Sequence, residues 1–125
     1  MANSQSFTRP TDLPSWATLT AHAQQLKTRH IKELFAEDDA RFNKFSIELP
    51  RILFDYSENL ITDATKASLL ALAKESDVEA WRGKMFAGEH INATEDRAVM
   101  HVALRDKSNN PIMIDGSDAR PAIGA

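Results

Sequence analysis

Gly88-Glu-His-Ile-Asn-Ala-Thr-Glu-Asp-Arg-Ala-Val-Met-His-Val-Ala-Leu-Arg105 is the run on which the reading of this chain turns. Its first half is a polar turn rich in groups that fix backbone. Its second half reads as an apolar helix studded with basic side chains. Asn92 and Glu95 have the spacing of a capping box, with Asn in the capping role, and Thr94 is a competing N-cap for the same helix. From Ala98 to Leu104 every residue is apolar except His101, which predicts a helix buried on most sides. Arg97, His101 and Arg105 recur at i, i+4 and i+8 and would line one stripe of it.

That stripe has two readings. A basic row beside a buried face suits a carboxylate partner or an anionic ligand. It equally suits an internal salt-bridge network, because buried arginines must be paired, and structural pairing is the favoured reading. His101 could be a base or a metal ligand, but no second His or carboxylate shares its face at zinc spacing, so a satisfied core histidine is favoured. Glu95 could act as a general acid or base; at a helix start, capping and the helix dipole already account for it. Asn92-Ala-Thr94 matches a glycosylation acceptor, which carries no weight without a secretory signal.

Working outward, Ser76-Asp-Val-Glu79 fits a capping box opening a helix with Val78, Trp81, Met85 and Phe86 on its core face, ended by Gly88. Upstream, Thr62 or Asp63 can cap a helix running to about Glu75, with a wide apolar face including Leu69, Leu70 and Leu72. Residues 1–14 read as an arm, and Ser15 as the N-cap of a helix with Trp16, Leu19, Ala23 and Leu26 on one face. A short helix through Ile31, Leu34 and Phe35 follows, then the acids Glu37-Asp38-Asp39. These acids lack the spacing of a calcium loop and suit the start of another turn through Phe42 and Phe45. In Ser46–Tyr56, Ile47 and Leu49 alternate with polar residues before Pro50, and Ile52-Leu-Phe-Asp-Tyr56 after it reads as a short strand, with the proline forcing an edge or a break. Downstream, Pro111-Ile-Met-Ile-Asp-Gly116 reads as a short buried strand closed by a turn. The expected fold is predominantly α with two short strands, an α+β segment.

Bulk composition narrows the function classes. A chain of 125 residues with a net charge of −3 has room for one core and lacks the basic excess of a nucleic-acid surface. No apolar stretch approaches the ~20 residues of a membrane span, and the N-terminus lacks the regions of a secretory signal; a cytoplasmic protein is expected. With no cysteine, thiolate catalysis and Cys-ligated zinc are excluded. Four scattered glycines build neither a P-loop nor a dinucleotide fingerprint. The residues offer scaffold chemistry throughout and no convergent catalytic cluster.

The run Gly88–Arg105 resembles the N-terminal signature of the glucose-6-phosphate isomerase (phosphoglucose isomerase) family. Leu34-Phe-Ala-Glu-Asp-Asp-Ala-Arg-Phe-Asn-Lys-Phe-Ser46, Asp55-Tyr-Ser-Glu-Asn-Leu-Ile61 and Asn110-Pro-Ile-Met-Ile-Asp-Gly-Ser-Asp118 resemble further segments of that family in the same order. The similarity covers about residues 16–121. It implies interconversion of glucose 6-phosphate and fructose 6-phosphate through a cis-enediol, with a glutamate base and no metal or organic cofactor. It also implies a homodimer, and a family fold that is α/β with two sugar-isomerase domains. The family's base, ring-opening residues and phosphate-binding hydroxyls lie in those domains and have no matching position here. No residue is therefore assigned a catalytic, substrate-binding or metal role. Asn92, Thr94, Glu95, Arg97, His101 and Arg105 are expected to be signature scaffold, with residues 15–125 forming the family's N-terminal helix-rich segment. Pro121-Ala-Ile-Gly-Ala125 falls where the family begins a long helix, so the expectation is a partial product, inactive alone. The alternative is a non-enzymatic helical interaction module descended from that segment.

Overall fold

The computed structural model describes residues 8–108 and 110–123, in two compact units divided after Ser76. Of the expected N-terminal arm, residues 1–7 lie outside the described residues; Pro10–Asp12 forms a 3₁₀ turn.

The first unit begins with α1 (Pro14–Leu26) and ends with α4 (Asp63–Glu75). Between them lie α2 (Ile31–Glu37), α3 (Arg41–Lys44) and a hairpin of β1 (Ser46–Leu49) and β2 (Ile52–Asp55). Helices α1 and α4 are antiparallel and pinned at both ends. At one end the Ser15 amide donates to Glu75 Oε2 at 3.0 Å. At the other, His22 Nε2 lies 3.2 Å from Thr62 Oγ1 and 2.7 Å from Thr65 Oγ1. Thr62 caps α4 as expected, and its partner in the capping box is Thr65. Ser15 does not cap α1. Leu13 holds that position and Pro14 opens the helix, where its missing N–H costs nothing; the Ser15 amide, one of the orphan donors, takes a carboxylate from α4 instead.

The centre of this unit is a buried arginine. Arg41 is 3% exposed. Its guanidinium donates to three backbone carbonyls: Nε to Ser57 at 2.9 Å, one terminal nitrogen to Ile61 at 2.9 Å and the other to Asn59 at 2.8 Å. Its carbon sits 4.8 Å from the Phe45 ring centroid and 5.4 Å from that of Phe35. The aromatic faces and carbonyl dipoles replace the water that such a charge would otherwise hold. Among the described residues of the unit, Leu26, Leu34 and Phe45 are the buried apolar ones, and Ser15, Ser57 and Thr65 are buried as well. The core is small, and among the described residues no buried side-chain nitrogen or oxygen lacks a hydrogen-bond partner.

The expected strand after Pro50 is one arm of a hairpin, in the register Ile47 to Phe54 and Leu49 to Ile52. Pro50 and Arg51 make its two-residue turn; the proline's fixed negative φ rules out the mirror-image turns that most such hairpins use. By that register Ile47, Leu49, Ile52 and Phe54 share one face, and they are 49–62% exposed. Leu69 and Leu70, on the expected apolar face of α4, are exposed as well, and so is Phe42 on α3. Seven- and four-residue helices and a hairpin of two four-residue strands offer too little surface to cover them.

The second unit comprises α5 (Val78–Phe86), a 3₁₀ turn (Ala103–Arg105), the hairpin of β3 (Met113–Ile114) and β4 (Ser117–Asp118), and α6 (Arg120–Ile123). The Ser76–Glu79 capping box does not form. Ser76 instead ends α4, its amide donating to the Leu72 carbonyl, and Asp77 precedes α5 in the left-handed region at φ 52°. Gly88 does end α5. The Glu89 amide reaches the Lys84 carbonyl at 3.1 Å and the Gly88 amide the Met85 carbonyl at 3.3 Å, the double bond of a Schellman ending. The expected core face of α5 is incompletely covered: Trp81 and Met85 are half-buried, Val78 and Phe86 exposed. The Pro111–Gly116 strand is likewise a short hairpin with Met113 exposed, rather than a buried strand. Asp115 and Gly116, at φ 50° and 77°, form the Asp-Gly turn that such a tight hairpin requires. Among the described residues, no helix is long and apolar enough to cross a membrane.

Replacing Arg41 with Met leaves three carbonyls without their donor and should cost about 3 kcal/mol, the scale for breaking a buried charged network. Lys keeps the charge but cannot reach three acceptors in one plane, so R41K should recover less than half of that loss. Denaturant titration followed by circular dichroism measures both. The Glu75 carboxyl is held below its ordinary range by the Ser15 side-chain and backbone hydrogen bonds. Its stabilising effect is therefore complete above the unfolded value near 4.5 and is lost as pH falls through the lower folded value. Amide exchange in the first turn of α1 should accelerate over that acid range, and E75A should show the fast exchange at neutral pH.

Candidate functional site

The signature run does not form the expected helix. Asn92 and Arg97 instead close on each other, with the Asn92 amide donating to the Arg97 carbonyl at 3.2 Å and the Arg97 amide to the Asn92 carbonyl at 3.3 Å. Asp96 sits in the left-handed region at φ 48°, which no α-helix can pass through. The expected side-chain pair is nevertheless present. The Glu95 amide donates to Asn92 Oδ1 at 3.3 Å, and Asn92 Nδ2 donates to Glu95 Oε2 at 2.8 Å. The same Glu95 oxygen pairs with Arg97. Capping chemistry was legible from spacing, but it closes a turn here.

Residues 98–100 continue without regular structure, and only Ala103–Arg105 winds into a 3₁₀ turn. The stripe of Arg97, His101 and Arg105 therefore does not exist. His101 is exposed rather than a core histidine, Arg105 is exposed at the end of the 3₁₀ turn, and Thr94 lies exposed in the 92–97 turn and caps nothing. The physical reason is coverage. A short helix draws its stability from tertiary burial of its apolar face, and within this unit the available partners are α5, α6 and a two-residue hairpin. Ala103 is buried, while Val99, Met100 and Val102 are only half-buried.

The polar contacts that hold the unit together were not singled out from the sequence. His90 lies between two carboxylates, Nδ1 at 3.2 Å from Asp96 and Nε2 at 3.0 Å from Asp115. The imidazole is pushed above its ordinary pKa, first by the hydrogen bond to Asp96 and then by that to Asp115. Arg120 ties the end of the described chain back, its Nε donating to the Asn110 carbonyl at 2.7 Å and a terminal nitrogen to Asp106 at 2.5 Å. The Asp106 carboxyl is lowered chiefly by the Ser108 amide, then by the Ser108 hydroxyl and Arg120. Asp118 is lowered by the Arg120 and Ile112 amides. Asp-Gly and Asp-x-Ser spacings were visible in the sequence, but nothing in the spacing says which carboxylate meets which base 25 residues away.

Of the six signature residues, Asn92, Glu95 and Arg97 come together as a turn, and Thr94, His101 and Arg105 do not converge on them. Among the described residues, no group of three or more His, Asp and Glu side chains is placed to hold a metal ion. An open cleft of about 190 Å³ lies between α1 and α4, lined by Pro14, Ser15, Thr18, Ser68, Ala71 and Glu75. Its one carboxylate is already committed to the Ser15 amide, so it presents no acid–base pair.

Three substitutions separate backbone demands from exposed side chains. A Cβ on Gly88 would meet the Met113 carbonyl oxygen at 2.6 Å at a φ of 75°, so G88A should destabilise the second unit by at least about 1–2 kcal/mol. By contrast H101A and R105A should leave the denaturation midpoint unchanged, because both side chains face solvent. Loss of stability in H101A comparable to that in G88A would show that the histidine is packed.

The family model for phosphoglucose isomerase matches residues 55–125. Glucose-6-phosphate isomerase from Methylococcus capsulatus is 49% identical over 113 residues, 90% of this chain and 21% of that protein. The corresponding enzyme from Pseudoalteromonas translucida is 49% identical over 117 residues, 94% of this chain and 21% of its own length. Glucose-6-phosphate isomerase 1 from Colwellia psychrerythraea is 57% identical over 106 residues, 85% of this chain and 19% of that protein. The chain thus spans about a fifth of the length of the curated relatives it matches. These relatives agree with the resemblance carried by the four quoted segments, and they do not favour the alternative of a non-enzymatic interaction module descended from that segment. This chain belongs to the phosphoglucose isomerase family.

Proposed function

We propose that the chain serves as the N-terminal, helix-rich part of a glucose-6-phosphate isomerase, with residues 1–14 as an arm and 15–125 as the segment proper. In the whole protein the activity is interconversion of glucose 6-phosphate and fructose 6-phosphate, an aldose–ketose isomerisation within glycolysis and gluconeogenesis. The observation that carries the reading is identity of 49–57% to proteins of that name across 85–94% of this chain. The whole enzyme is cytoplasmic and homodimeric in this reading and works without a metal or organic cofactor. Proton transfer between C1 and C2 requires a base within hydrogen-bond reach of both carbons, and general acid–base groups do this when positioned. The signature residues here are engaged in turn geometry: Asn92 and Glu95 bond each other, and Arg97 neutralises Glu95. Their contribution is structural.

The 125-residue chain alone should therefore show no isomerase turnover in a coupled assay with fructose 6-phosphate. Mixed with a related isomerase that lacks the matching fifth of its length, it should restore activity. Turnover by the chain alone at typical enzyme rates of ~1–10³ s⁻¹ would overturn the assignment of a structural role.

A further inference from the structure

The Schellman ending at Gly88 turns the chain over the β3–β4 hairpin, where the glycine's bare α-carbon lies against the Met113 carbonyl. Two residues later His90 is placed between two separate turns. Asp96 in the 92–97 turn reaches Nδ1 at 3.2 Å; Asp115 in the hairpin turn brings both carboxylate oxygens to Nε2, at 3.0 and 3.1 Å. Both aspartates occupy left-handed backbone, at φ 48° and 50°, conformations that need local support. Other carboxylates of these turns and strands have other bonds. Glu95 pairs with Arg97, and Asp118 accepts the Ile112 and Arg120 amides. Glu89 adjoins His90 in the chain, and Asp96 and Asp115 are the charges acting on the ring.

Ionised carboxylates only accept hydrogen bonds, and a neutral imidazole carries a single N–H. Both contacts can be hydrogen bonds at once only when the ring bears two protons. We propose that His90 is a pH-sensitive clasp: as the imidazolium it fastens the 92–97 turn to the β3–β4 turn, and as the neutral ring it lets the 92–97 turn go. The neutral ring keeps its proton on Nε2, where two oxygens accept it, and turns the bare Nδ1 lone pair toward Asp96. Repulsion between that lone pair and the carboxylate then opens the Asp96 arm. The raised histidine pKa agrees in sign: the clasp is complete below the unfolded value near 6.5 and is lost as pH rises through the higher folded value. The device uses no residue of the proposed isomerase chemistry and stands independently of it.

The test is an NMR titration of the 125-residue chain, reading the His90 ring carbons and the amide-exchange protection of residues 92–97. The His90 midpoint should lie above 6.5, and D96N and D115N should each lower it. Protection of the 92–97 amides, corrected for intrinsic exchange, should fall by at least about twofold as pH passes that midpoint, the scale of an exposed ion pair. In H90K, whose charge persists across this range, protection should stay level. A midpoint at or below 6.5, a midpoint unmoved by both aspartate variants, or protection that stays level in the unaltered chain would overturn the proposal. The titration of the unaltered chain decides it even if a variant fails to fold.

Discussion

A guanidinium without a carboxylate holds the first unit together. Arg41 is buried under Phe35 and Phe45 and spends its donors on the carbonyls of Ser57, Asn59 and Ile61. Burying a charge costs several kcal/mol, and a single neutral hydrogen bond does not offset that. Three charge-assisted bonds at about 1.5–3 kcal/mol each can. The geometry also explains why the residue is arginine: a planar fork addresses three acceptors from one point. By fixing the 57–61 segment, Arg41 sets where α4 begins, and α4 in turn receives α1 through His22 and Glu75. The segments Leu34–Ser46 and Asp55–Ile61, quoted separately for their family resemblance, are the two halves of this one contact.

The second unit is organised differently, by turns rather than by a core. Among the described residues, the three non-glycine residues with positive φ, Asp77, Asp96 and Asp115, all belong to it, and all are aspartates, which tolerate that region better than most. Polar ties between His90 and two of them, and between Arg120 and Asp106, do what apolar packing does elsewhere. This accounts for the large side chains left in solvent, Phe86 and Leu104 among them.

Local chemistry was legible in the sequence; long-range partnership was not. The Thr62 cap, the Gly88 ending, the Ile31–Phe35 helix and the breaks at Pro50 and Gly116 all follow from rules spanning five residues or fewer, and the structure has them. The 98–104 helix failed because apolar periodicity states only that a face needs a partner, and the second unit does not supply one. The failure carried the candidate site with it: Arg97, His101 and Arg105 form a stripe only on a helix. Conversely, the rule that a buried arginine must be paired was sound but attached to the wrong residues. Arg41 looked like an ordinary charge between Ala40 and Phe42, and nothing local announces that carbonyls 16 to 20 residues away will surround it.

The measurement that bears most directly on this account is proton exchange at the Arg41 side chain, followed by nitrogen-15 NMR of the arginine Nε–H groups. The account predicts that the Arg41 Hε, bonded to the Ser57 carbonyl and shielded by two rings, exchanges at least about a hundredfold more slowly than the Hε of the exposed Arg105, in keeping with opening through unfolding of the unit. An Arg41 Hε exchanging at the rate of Arg105 would mean that water reaches the guanidinium freely, and the buried arginine could not be what organises the fold.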